Sequence, residues 1–226
     1  MSTAFRAILV CAALFAVAPP CVRAQATSGG RVWDFAAGVG DGKSSASASL
    51  TWARATGPGA RVLLRYGVRS TWAMGDLELT AAGAHDVPAG VVDTLRVRNA
   101  GALMVNVVGG IGIRLAPRLE AAMNIDLTGF GVGGERTAEY RTSPTAAPSD
   151  ERAAPSGANL FLYGSKDRGS LNSEFFAAWR ARDRVVVRAG LSHLLTEYSA
   201  TRMLTSNTRR FRQYSNLLFV AVWLER

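Results

Sequence analysis

Val62-Leu63-Leu64-Arg65-Tyr66-Gly67-Val68-Arg69-Ser70-Thr71-Trp72 decides the fold. Val62, Leu64, Tyr66, Val68 and Trp72 share one parity; Arg65, Gly67, Arg69 and Thr71 share the other. Period two is the period of a strand, whose successive side chains point to opposite faces. The apolar face must meet lipid or a core. The other face carries two guanidiniums, which a dry core does not accept unpaired.

Seven further segments alternate in the same way, at about Arg31–Gly40, Ser44–Ala55, Ala102–Leu115, Leu119–Phe130, Ser170–Arg180, Arg184–Leu195 and Tyr214–Leu224. The last is apolar on both faces, and Leu217, Phe219, Ala221 and Trp223 are assigned outward. Trp33, Trp52, Trp179 and Trp223 then fall at one end of their strands, and Trp72 at the other end of its own. Aromatic side chains at both ends of alternating strands are the pattern of membrane-interface girdles. No stretch of the mature chain is apolar enough for a spanning helix.

The connections support the same reading. Thr56–Ala60, Ala116–Arg118 and Ala181–Asp183 are short, whereas Met74–Ala100 and Gly131–Gly169 are long and Glu197–Gln213 is intermediate. With an even strand number, all the tight turns lie on the side of the termini, as short periplasmic turns do opposite longer external loops. The exception is the short external link Asp41-Gly42-Lys43. Leu77, Leu79, Ala81, Leu95 and Val97 also alternate, so strands three and four extend beyond the membrane as a hairpin. Segments around Arg136–Thr142 and Asn159–Tyr163 do the same, flanking a mobile Pro/Ala/Ser-rich tip at Ser143–Ser156. Counting these extensions as spanning strands gives ten; lacking full apolar faces, they leave eight. The expected fold is all-β, a closed antiparallel up-and-down transmembrane β-barrel of eight strands.

The 226 residues fit one domain, with residues 1–26 as a signal peptide and 27–226 as the barrel domain. Arg6 precedes an apolar run from Ala7 to Ala18, and Ala24-Gln25-Ala26 supplies a small-x-small cleavage site. Both cysteines, Cys11 and Cys21, fall within that signal, which leaves no thiol for a disulfide, metal site or nucleophile. The formal charge of +9 becomes +7 once Arg6 and Arg23 are removed. Nucleic acid is a poor partner for an exported chain; lipid head groups and lipopolysaccharide phosphates suit its charge better.

These features resemble the small outer-membrane β-barrel proteins, the porin-like outer membrane protein β-barrel group. The resemblance covers nearly the whole mature chain and is architectural, with no diagnostic short motif. It implies a Gram-negative cell envelope, the outer membrane as location, and barrel assembly machinery as a partner. Such barrels usually end in an aromatic residue; this chain ends Trp223-Leu224-Glu225-Arg226.

An eight-stranded barrel is just wide enough to be filled by its side chains. The inward parity carries Asp34, Glu120, Asp126 and Glu174 against Arg65, Arg69, Arg114, Arg180 and Arg188. Near-balanced charges in a narrow lumen are expected to pair as a plug. Gly38, Gly67, Gly110, Gly112 and Gly190 leave room for a polar path, so weak small-solute permeation is the competing reading. Arg202, Arg209, Arg210 and Arg212 form a candidate lipopolysaccharide contact. His193 shares the outward parity of Leu195 and Glu197, while Ser192 points away, an arrangement ill suited to a nucleophile and its base. His85-Asp86 offers too few ligands for a metal.

The resulting expectation is a non-enzymatic, monomeric envelope protein with a structural or surface-interaction role and no cofactor or metal. The alternatives are a soluble periplasmic barrel that binds an apolar ligand, and a lipid-A-modifying outer-membrane hydrolase.

Overall fold

A computed structural model describes residues 30–82, 93–204 and 207–226. The signal segment, both cysteines and His85-Asp86 lie outside the described residues. The strands are β1 (Gly30–Gly40), β2 (Lys43–Thr56), β3 (Val62–Ala81), β4 (Thr94–Ala116), β5 (Leu119–Val132), β6 (Arg136–Arg141), β7 (Ser149–Pro155), β8 (Ala158–Leu160), β9 (Leu171–Arg182), β10 (Val185–Ala200) and β11 (Arg210–Glu225).

Eight of them close a ring. Antiparallel pairing runs β1–β2–β3–β4–β5–β9–β10–β11 and returns from β11 to β1. Closure removes the open edges that would otherwise present unpaired backbone groups. The termini and the tight β2–β3, β4–β5 and β9–β10 turns share one end, here called the terminal end. The longer connections share the other, the loop end. Asp41 and Gly42, at φ 47° and 70°, join β1 to β2 at the loop end. Two consecutive left-handed residues are what the tightest hairpin turn requires.

The wall is apolar outside and polar inside. On β3, Tyr66 and Trp72 are 61% and 54% exposed on the outer face, while Arg65 and Arg69 are buried on the inner one. Leu64, Val68, Leu103, Ile111, Phe175 and Leu218 continue the outer surface on β3, β4, β9 and β11. A contiguous apolar surface of this kind marks a membrane or protein contact. The soluble alternative, with an apolar core around a ligand, is thereby corrected: it would bury the side chains that face outward here.

A bulge changes one sequence assignment. The β4–β5 register shifts between Val107 and Val108, which pair with Thr128 and Asp126. Leu127 is the extra residue, so Thr128 turns out with Phe130 although its parity with Asp126 predicted an inward position. A second ring stands on the loop end. β3 and β4 continue as a hairpin, β4 pairs with β6, β6 with β7, β7 with β10, and β11 returns to β3 through Phe211–Ala81. With β10 paired to β11, six strands enclose Leu77, Leu79, Leu95, Val97, Tyr140, Tyr198 and Phe211.

On β3 the inward parity never changes, yet its chemistry does: Arg65 and Arg69 give way to Leu77 and Leu79, while Glu78 and Thr80 replace Leu64 and Tyr66 outside. The apolar face therefore swaps sides near Gly75, as the surroundings of the wall change. The Ser143–Ser156 stretch, expected as a mobile tip, contains β7; the connection between β6 and β7 is only 142–148. Neither extension pair spans: β8 pairs with β5 above the start of β9 and completes the wall there.

Candidate functional site

The lumen is layered from the terminal end upward. Its lowest layer is an open cleft of about 490 Å³. Arg65 and Glu120 pair at 2.5 Å in its inner wall. Arg180 makes a two-pronged contact with Glu225, at 2.6 and 2.8 Å, and also donates to the Asp183 carbonyl at 2.9 Å. Arg114 donates to the Ala60 carbonyl at 3.3 Å.

Above the cleft stands an aromatic box. Phe176 meets Trp223 edge-to-face with centroids 5.5 Å apart, and Phe219 at 6.2 Å. The Arg188 guanidinium lies 4.6 Å from the Phe176 centroid and 4.9 Å from that of Phe219. Arg65 lies 4.7 Å over Trp223. The girdle assignment of Trp223 is thus corrected: it faces the lumen and is 4% exposed. Leu218, Val220, Val222 and Leu224 take the lipid side of β11, with Leu218 69% exposed. Both faces of this strand are apolar because its inner face packs against guanidiniums, whose cations are attracted by ring faces. Trp33, Trp52, Trp72 and Trp179 do point outward, and Trp52 stacks on Tyr66 at 5.8 Å.

The middle layer is a chain of alternating charges, Asp34–Arg188–Glu174–Arg69–Asp126. Arg188 pairs with Asp34, and its Nη1 lies 2.8 Å from Glu174 Oε2. The same oxygen lies 2.9 Å from Arg69 Nη1, and Arg69 Nη2 reaches Asp126 Oδ1 at 2.6 Å. Residues from five strands meet here: β1, β3, β5, β9 and β10. Amides saturate the remainder. Asn106 donates to Asp126 at 2.8 Å, the Asn172 backbone N–H donates to it at 2.9 Å, and Asn159 donates to Asn106 Oδ1 at 2.8 Å. Ser192 donates to Asn172 Oδ1 at 2.7 Å.

Above the charges lies a thin apolar layer of Ala73, Met104, Leu194 and Leu217. A void of about 10 Å³ follows, bordered by Lys43, Thr196 and Tyr198, with room for about one water. The apolar core of the second ring completes the stack. Lumen glycines do not leave a path. A Cβ at Gly112 would lie 2.8 Å from Arg65 Nη1, and one at Gly110 would meet the Met123 carbonyl at 2.8 Å. Their missing side chains make room for neighbours, not for solute.

The sequence named the charged members, and the structure brings Asp34, Arg65, Arg69, Asp126, Glu174 and Arg188 into the buried lumen, with Glu120, Arg114 and Arg180 half-buried at the cleft. It missed Asn106, Asn159, Asn172 and the aromatic box. Asn106 and Asn172 share inward parity with charged residues of their strands, a signal that was available; Asn159 arrives from a connection and had none.

The four loop arginines do not form one outward patch. Arg202 is held by Glu151, Arg210 by Glu197 at 2.7 Å and the Asp167 carbonyl at 3.0 Å, and Arg212 is buried; Arg209 is exposed. His193 faces outward, stacked on Tyr214 at 5.3 Å, with Nδ1 2.9 Å from Asn216 Oδ1. Ser192 lies on the opposite face of the strand from it.

No protein-family model matches the chain, and no curated protein matches its sequence. Solved structures do. Neisserial surface protein A is similar over 87% of this chain and 94% of its own, at 8% identity and TM-score 0.33. The attachment invasion locus protein Ail of Yersinia pestis is similar over 87% and 99%, at 10% identity and TM-score 0.30. The Ralstonia pickettii toluene transporter TbuX is similar over 80% and 67%, at 8% identity and TM-score 0.28. These are loose likenesses; the closed ring stands on the pairing of this chain's own strands.

Proposed function

We propose that this chain is an integral outer-membrane β-barrel with a closed lumen, acting in envelope structure or surface interaction and not in solute passage. The observation that carries this reading is the filled midsection: five alternating charges span the lumen, and an apolar layer lies above them. The apolar outer wall supports a hydrocarbon environment, since irregular or polar surface is excluded from it. The short turns support a periplasmic terminal end and the second ring an external loop end. Glu78, Arg96 and Arg98 on the outer face of that ring suit the hydrated head-group zone.

On this reading lipid and lipopolysaccharide are the surroundings, Arg209 is the exposed member of the expected contact cluster with no ion pair among the described residues, and barrel assembly machinery inserts the chain. The test is conductance. Purified protein reconstituted in planar bilayers should give no stable open step. A reproducible open conductance from monomeric, heat-modifiable protein would overturn the closed-lumen reading.

A further inference from the structure

The terminal-end cleft has a chemistry that plugging does not require. Arg65, Arg114, Arg118, Arg180, Arg184 and Arg226 line it, against only Glu120, Asp183 and Glu225. Two of the acids are already engaged, Glu120 by Arg65 and Glu225 by Arg180. Arg118, Arg184 and Arg226 have no ion pair among the described residues, so the cleft carries surplus positive charge. A concave, low-dielectric wall of one sign focuses its field and concentrates counter-ions.

A second observation lies deeper. Arg65 is buried in the inner wall of the cleft, and its Nη1 has no hydrogen-bond acceptor among the described residues. Its Nη2 lies 2.5 Å from Glu120 Oε1. Val32, Leu63 and Val186 add apolar wall. The volume, about 490 Å³, falls within the range of small-molecule sites. The layers above close the cleft at its inner end, so a ligand would enter and leave by one mouth.

We infer that this cleft binds a small organic anion bearing carboxylate or phosphate groups, gathered by Arg114, Arg118, Arg184 and Arg226 over the Arg65–Glu120 pair of its inner wall. Guanidinium forks match both groups through paired, charge-assisted hydrogen bonds. The apolar wall receives the carbon skeleton. The inference deepens the closed-lumen reading, because a blind cleft retains what a channel would pass. The two fail separately: conductance tests the lumen, binding tests the cleft.

The experiment is isothermal titration of citrate, and separately of pyrophosphate, into the full mature protein in nonionic detergent at constant ionic strength. At least one probe should saturate at one site per barrel. Arg118→Gln/Arg184→Gln/Arg226→Gln should weaken it by about tenfold or more while the folded band still shifts on boiling. Phosphatidylglycerol added to the micelles separates the sources: displacement of the probe assigns the acidic group to a lipid head group, retention to a soluble anion. Absence of saturable heat with both probes up to about 10 mM overturns the inference, as does binding that the triple variant leaves unchanged.

Discussion

The guanidinium of Arg65 lies 4.7 Å over the ring of Trp223. One side chain was expected in the lumen and the other in the lipid interface, yet they form one contact across the barrel interior. Trp223→Ala should therefore behave as a core truncation, lowering unfolding stability in lipid vesicles by about 3–5 kcal/mol. Trp33→Ala, on the outer wall, should cost clearly less. Equal losses in urea titrations of the two variants would return Trp223 to the girdle.

Glu174 Oε2 is shared by Arg69 and Arg188. Glu174→Gln leaves two buried guanidiniums short of a charge, and should destabilise the barrel by about 3–5 kcal/mol. It should not open the lumen, because Met104, Leu194 and Leu217 still block the path above. Unfolding midpoints read the first effect and planar-bilayer recordings the second; a conducting variant would mean that the charge chain alone keeps the lumen shut.

Phe211 is fully buried in the core of the second ring and meets Tyr140 edge-on at 6.3 Å. Phe211→Ala should loosen that ring, at a cost of about 3–5 kcal/mol. The membrane wall pairs independently below, so the boiling-dependent band shift should persist. Faster proteolysis or hydrogen exchange in 77–81 and 136–155, with exchange unchanged in 62–72, is the expected pattern. Uniform loss across both rings would show that they unfold as one.

The hydrogen bond from Arg202 to Glu151 holds the Glu151 carboxyl below the usual carboxylate range. A depressed folded value contributes stability above the unfolded value, near 4.5, and that contribution fades as pH falls through the lower folded value. Acidification below about pH 4.5 should release the 201–204 segment from β7. Hydrogen exchange of these residues against pH reads the change, and Glu151→Gln should flatten it. A steeper exchange rise at neutral pH than in acid would contradict the assigned direction.

The alternation of Arg65, Gly67 and Arg69 against Leu64, Tyr66 and Val68 was enough to specify strands, their inner faces and a charged lumen. Side-chain parity is local: it depends on the pleat, and the chain writes it residue by residue. Parity failed where register shifted, at Leu127, and where both faces are apolar, on β11. It also could not tell that Leu77 and Leu79 continue the inner parity of Arg69 in a different environment.

Strand period and loop asymmetry were thus determined by the sequence itself, through side-chain alternation and connection length, whereas the choice of eight strands over ten came from the closed pairing. Only the tertiary structure decided which acid meets which arginine, that Trp223 turns inward to cover Arg65, and that β6 and β7 close a second ring over the first. Those outcomes join residues far apart in the chain, such as Asp34 with Arg188, and their energies depend on what each face meets after the ring has closed. A pattern within one strand carries no record of its opposite wall.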